Sequence, residues 1–263
     1  MGKNNALTNW GRRLLVMVVG GLALLPGTVA AKLTATANHA NIKIDAFYHG
    51  STVSVKGECE PDTELVIKIS SAEGHTVMKK KGKVGGLLWM NIGDLRFDHL
   101  PELYFVRSSK ALEEVVVPTE AAKHIFGFKA LESHLVIEPA ETETEKALYF
   151  TELVKFKEQN KLFSQDTGID ISTENGNRFY STVFDWPYQA KPGDYTVEVY
   201  AVKNGRVVEA ASSNVQVERA GAVKYLADLA RNNGMLYGLV SVLVALLSGF
   251  GVGAIFGKGG GSH

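Results

Sequence analysis

The sequence predicts a mainly β protein. It reads as an immunoglobulin-like β-sandwich ectodomain, two β modules with intervening helices, held to a membrane by one C-terminal transmembrane helix. Three observations predict this. Short runs that alternate apolar and polar residues, rich in β-branched and aromatic side chains, fill 41–117 and return over 178–218. The stretch Met235 to Phe256 carries no charge, and twelve of its residues are Leu, Ile, Val or Phe. As a helix it would reach roughly 33 Å, enough for a hydrocarbon core of about 30 Å. A single cysteine, Cys59, allows no internal disulfide, so a packed core must carry stability.

Taken in order, residues 1–31 read as a secretory signal peptide. Lys3, Arg12 and Arg13 precede the apolar run Leu14 to Leu25, and Thr28-Val29-Ala30-Ala31 follows Pro26-Gly27. Cleavage is expected after Ala30 or Ala31, with an uncleaved signal anchor as the competing reading. Residues 32–117 form the first β module. NIKIDAFY, STVSVKGE, ELVIKISS, HTVMKKKGKV, LLWMNIGDLRF, ELYFVRSS and LEEVVV are its strands. Gly82, Gly85 and Gly86 mark a bend before Trp89, which is expected in the core.

Residues 118–176 are the connector. Thr119 is expected to cap a first helix, and Glu145 to Phe163 forms a longer amphipathic one, with LVIEPA (135–140) a short strand between them. Asp166, Asp170 and Glu174 read as a solvated acidic loop. They lack the spacing and glycine of a calcium loop.

Residues 177–220 form the second β module. Asn204-Gly205 between alternating runs is a strong type I′ hairpin signal, because both positions need positive φ. Pro101-x-x-Tyr104-x-Val106 and Pro192-x-x-Tyr195-x-Val197 resemble one another and the tyrosine corner of sandwich domains. A duplication and a chance match stay equally open. Residues 221–234 read as a juxtamembrane helix, interfacial or a plain linker. The span follows over 235–257 and a cytoplasmic tail over 258–263, if the signal peptide exports the body. The expected location is the bacterial inner membrane, single-pass, with the β modules in the periplasm.

Chemistry is sparse. The 28 basic and 28 acidic residues cancel, which argues against a nucleic-acid partner. Gly249, Gly253 and Gly257 recur at one helical turn and would form a helix-packing interface, either with a second copy or with a larger membrane protein. No pair of histidines has helical metal-ligand spacing. His49, His75 and His99 fall at strand ends, where two would suit copper with Met78 or Met90. Scattered surface histidines are the stronger reading. Cys59, between Glu58 and Glu60, reads as buried and of blunted reactivity. There is no GxSxG elbow and no P-loop. No catalytic residue, cofactor or metal ligand is expected, and the chain reads as a non-enzyme.

The segments NIKIDAFYHGSTVSVKGE, GGLLWMN, FDHLPELYFVRSS and PGDYTVEVYAVKNGRVVEAASSNVQVERAG belong together. With them the chain resembles a family of transmembrane proteins of proteobacteria, alphaproteobacteria above all, without an assigned activity. The resemblance implies an accessory role, since members are often encoded near permeases similar to sulfite exporters. The expected function is a membrane-anchored accessory or interaction subunit of a transport or electron-transfer system. Its partners would be the lipid bilayer and an integral membrane protein, a permease or redox complex. The alternative is a periplasmic metal- or small-ligand-binding module.

Overall fold

The computed structural model describes residues 33–38 and 41–256. The expected signal peptide, Gly257 and the tail lie outside the described residues. The β-rich body precedes a final helix, as the sequence predicts. Its strands are β1 (Thr36–Ala37), β2 (Asn41–Ile44), β3 (Ser51–Cys59), β4 (Glu64–Ser71), β5 (Glu73–Val84), β6 (Leu88–Pro101) and β7 (Tyr104–Ser108). Helices α1 (Leu112–Val115), α2 (Pro118–His124) and α3 (Gly127–His134) follow, then β8 (Val136–Glu138) and α4 (Glu143–Gln159). The described residues close with β9 (Phe163–Thr167), β10 (Asp170–Glu174), β11 (Asn177–Trp186), β12 (Gly193–Lys203), β13 (Arg206–Arg219), α5 (Gly221–Asn232) and α6 (Gly234–Phe256).

Strands from the two β stretches are interleaved in shared sheets rather than folded as separate modules. One sheet runs β1-β3-β11-β10 and a larger one β2-β13-β12-β4-β7-β9. Thus β3 of the first stretch pairs with β11 of the second, and β4 pairs with β12. The sheets face each other across Val53, Val55, Tyr180, Phe184 and Trp186 on one side and Ile67, Ile69, Phe105, Val197 and Val199 on the other. Phe105 and Phe184 stack with centroids 5.9 Å apart, and Trp186 meets Tyr195 edge-on at 4.8 Å.

The larger sheet is buried on its other face too. Val66, Tyr104, Val106, Tyr200 and Val202 point away from the sandwich, toward Val115, Phe126, Leu131, Phe150 and Leu153 of the helices and Phe97 of β6. This explains a break in the alternation. Leu65-Val66-Ile67 and Val199-Tyr200-Ala201-Val202 are buried without a gap, because a strand covered on both faces has no solvent side. At the other end of β12, Tyr195 and Val197 are buried while Thr196 between them is exposed. The connector therefore forms a third layer on the sandwich.

The two tyrosine motifs diverge here. The Tyr195 hydroxyl donates to the Lys191 carbonyl at 2.6 Å, four residues upstream, as a tyrosine corner requires. The Tyr104 hydroxyl donates instead to the Ile125 carbonyl at 2.7 Å, across the opposite face of the sheet. The motifs occupy non-equivalent places.

Local differences from the sequence reading have simple causes. The first connector helix starts at Pro118, with Val117 as its cap residue, since Pro fits the first helical position and Thr119 then lies inside. The long helix is α4, Glu143–Gln159. The Thr142 hydroxyl accepts from the Glu145 N–H at its start, and Phe163 belongs to β9. The acidic stretch is not a loop: Asp166 lies in β9, and Asp170 and Glu174 lie in β10. Asn175 and Gly176, with φ of 52° and 84°, turn β10 into β11, just as Asn204 and Gly205, at 51° and 76°, join β12 to β13.

Cys59 is fully buried, and burial pushes its thiol up, with Arg178 opposing; desolvation rather than the flanking glutamates is the main cause. Helix α6 has 23 residues and is the one described helix long and apolar enough to cross a membrane. At ~1.5 Å per residue it is about 35 Å long.

Candidate functional site

The β5–β6 hairpin carries the two surface features that stand out, one at its base and one at its tip. The base is built by three elements. Glu73 opens β5, His99 lies near the end of β6 and His134 closes α3. Pairing between β5 and β6 slips between Gly74 and His75, so that Gly74 opposes Leu100 and His75 opposes Asp98. His99 is the extra residue of this bulge and adopts φ of 60°. A bulge bends its strand and re-aims a side chain. Here Asp98 and His99 both turn off the core side, while Phe97 and Leu100 around them are buried.

The re-aimed ring meets a carboxylate and a second imidazole. Glu73 Oε2 is 3.2 Å from His99 Nδ1, and Glu73 Oε1 is 2.8 Å from His134 Nε2. The two rings stand edge to face, centroids 5.6 Å apart. One ligand atom from each residue lies within 4.8 Å of the others. The cluster opens on a shallow pocket of about 370 Å³, lined also by Gly74, His75, Asp98 and Val136. Two imidazoles and a carboxylate are donors that suit zinc and its transition-metal neighbours.

The tip is chemically different. Gly85 and Gly86 take φ of 61° and 76° and turn the chain between Val84 and Leu88. Beyond them Leu87 is 87 % exposed and Trp89 67 %. Leu88, Met90, Ile92 and Val84 are exposed as well. Trp89 is therefore not a core residue. Strand β8 reaches only Arg96 to Asp98 of β6, so among the described residues the outer hairpin has no third strand on which an aromatic ring could pack. Lys79, Lys80, Lys81 and Lys83 line β5 just below, with the Lys83 ammonium 5.4 Å from the Trp89 ring centroid. Lys79 pairs with Asp94 at 2.7 Å, and Lys80 bonds the Tyr149 hydroxyl of α4. A cleft of about 580 Å³ separates this part of β5 from α4.

Comparison with known families fits this architecture. The model of a family described as "Putative transmembrane protein" (Alph_Pro_TM) matches residues 32–258. The chain belongs to this transmembrane family. A search of curated proteins returned no match. The family match takes in all of α6 and the whole β-rich body. In this member of the family, GGLLWMN is the hairpin tip, and FDHLPELYFVRSS carries the bulge with His99 and then β7.

The residues singled out in the sequence are distributed unevenly. Gly249 and Gly253 lie one turn apart on α6, and a Cβ added at either would meet nothing within 4 Å among the described residues; Gly257 lies outside them. His75 and His99 share one pocket, whereas His49 lies elsewhere beside the Phe47 carbonyl. Met78 packs against the inner core and Met90 sits at the hairpin tip, so the copper set of strand-end histidines with either methionine is not assembled. Glu73 and His134 escaped the sequence reading. They stand 26 and 61 positions from their partners in the cluster, and no local spacing links them.

Proposed function

We propose that this family member is a non-enzymatic accessory subunit of a membrane transport or electron-transfer system. Helix α6 anchors it in the inner membrane, and its β-rich ectodomain lies in the periplasm. There the β5–β6 hairpin is offered to an integral membrane partner. One observation carries the reading: the exposed apolar tip of Leu87, Leu88, Trp89, Met90 and Ile92. Elsewhere the body buries its other tryptophan, Trp186, together with Tyr104, Tyr180 and Tyr195. A contiguous apolar patch rimmed by lysines marks an interaction surface more often than a solvated one. A two-stranded ribbon is marginal by itself in water, so a covering partner would also stabilise it. The orientation rests on the charged and apolar pattern of residues 1–31. The open glycine face of Gly249 and Gly253 offers a second contact within the bilayer.

The test is a photo-crosslinking residue at Trp89 of the full chain in native membranes, with Leu148 on α4 as an exposed control position. Capture of a permease or redox subunit from Trp89 alone, lost when Leu88 is changed to Ser in the same chain, supports the reading. Adducts with lipid only, or with a second copy only, overturn it.

A further inference from the structure

We propose that Glu73, His99 and His134 form a binding site for one divalent transition-metal ion of the zinc class. The inference stands apart from the docking role of the hairpin tip. Three independent elements, β5, β6 and α3, each deliver one donor to a single point, and no two of the donors are close in sequence. The donor set, two neutral imidazole nitrogens and one carboxylate, is of the type that zinc, nickel and copper(II) accept and that magnesium does not seek.

The backbone supplies a second argument. His99 is a non-glycine residue at φ of 60°, on the bulge that turns its ring toward Glu73. A left-handed backbone at a non-glycine residue is uncommon and collects at sites where a side chain must be aimed. His134 ends α3, and the partial negative charge of a helix C-terminus favours a nearby cation. Without an ion, the Glu73 carboxylate bridges the two rings through hydrogen bonds of 3.2 Å and 2.8 Å. With one, each facing nitrogen gives its lone pair to the metal and its proton moves to the other ring nitrogen or to solvent. The carboxylate then turns one oxygen onto the ion. The pocket is open on the solvent side, which leaves room for water or for His75 or Asp98 beside it as further ligands.

The experiment uses the full chain in detergent, free of any affinity tag and stripped with chelator. It is titrated with zinc, nickel and magnesium chlorides by calorimetry. One zinc per chain, nickel competing for the same site and no magnesium uptake is the expected result. His99→Asn and His134→Ala should each weaken zinc binding at least tenfold, and His49→Ala should leave it unchanged. Asn is chosen at 99 because it tolerates the left-handed backbone. Cobalt(II) added to the unmutated chain gives a readout that needs no variant: an intense visible d–d spectrum bleached by one equivalent of zinc. Absence of stoichiometric zinc uptake overturns the proposal. So does uptake that both histidine variants leave intact.

Discussion

Lys157 Nζ sits 3.3 Å from Glu102 Oε2, and the lysine side chain is only 4 % exposed. The ammonium also contacts the Glu102 carbonyl at 3.3 Å and lies 5.5 Å from the Phe163 ring centroid. Helix α4 is thus pinned to the β6–β7 connection by one buried charge. Burial pushes the Lys157 ammonium down, with Glu102 opposing. Burial also pushes Glu102 up, but Lys191 and Lys157 more than offset it and hold the carboxyl below its usual range. Glu102→Gln should cost about 1–3 kcal/mol, because it leaves a buried ammonium with only carbonyl and ring partners. Lys157→Met removes the charge and keeps the stem, so it should cost less than Glu102→Gln. Urea unfolding of the two variants, followed by circular dichroism, checks the order.

A pH dependence follows from His124. Its ring stacks on Phe126 at 5.3 Å and meets Tyr200 at 5.0 Å. Its Nε2 makes no hydrogen bond among the described residues, with Glu120 Oε2 at 3.7 Å. Burial lowers its pKa, helped by Lys123 and Lys68 and opposed by Glu120 and Glu198. The unfolded chain, with an ordinary histidine near about 6.5, therefore takes up the proton first. The stability His124 contributes is full above that value and is lost as pH falls through the lower folded pKa. His124→Phe should keep the stacking and lose less melting temperature between neutral pH and about pH 5 than the unmutated chain. An equal loss in both would remove His124 as a source.

Gly57 is required by a close approach. A Cβ built there falls 2.0 Å from the Thr34 carbonyl oxygen. Gly57→Ala must push the first described segment off β3. That breaks the bond from the Thr34 N–H to the Glu58 carbonyl and exposes Leu33. A cost of about 1–3 kcal/mol is expected. Hydrogen exchange should quicken at the Glu58 amide, which the Thr34 hydroxyl accepts from.

The exposed hairpin tip gives the opposite result. Leu87→Ser and Trp89→Ser remove side chains with few neighbours, so each should change stability by less than about 0.5 kcal/mol. The same two changes should abolish partner capture in membranes. A large loss of stability would mean that Trp89 packs in the monomer after all.

What the sequence made legible, and what it hid, follow from the range of the interactions. Helix α6 and the Asn204-Gly205 turn were readable because length, apolarity and positive φ are local properties. The turn at Asn175-Gly176 carries the same signal, yet the acidic residues around it read as loop. Strand propensity there is weak, and pairing with β11 outweighs it. Trp89 was misplaced because large aromatics are usually buried, and only its exposure on an outer hairpin with no third strand among the described residues shows otherwise. The interleaving of β3 with β11 and β4 with β12 leaves no mark on either stretch alone. The same holds for the metal-type cluster, whose three members are joined only by the fold.

The interleaved sheets also set a schedule for the growing chain. Strand β4 emerges early, but one of its neighbours, β12, comes shortly before α6, and β3 waits as long for β11. The hairpin β5–β6 needs only itself and can close at once, whereas both main sheets must remain open until the last strands arrive. Such high contact order slows folding and leaves Val, Ile and Phe-rich edges uncovered meanwhile. A ribosome stalled before β11 would hold a chain with one finished ribbon and two unfinished sheets, and a holdase is the partner such an intermediate would need first.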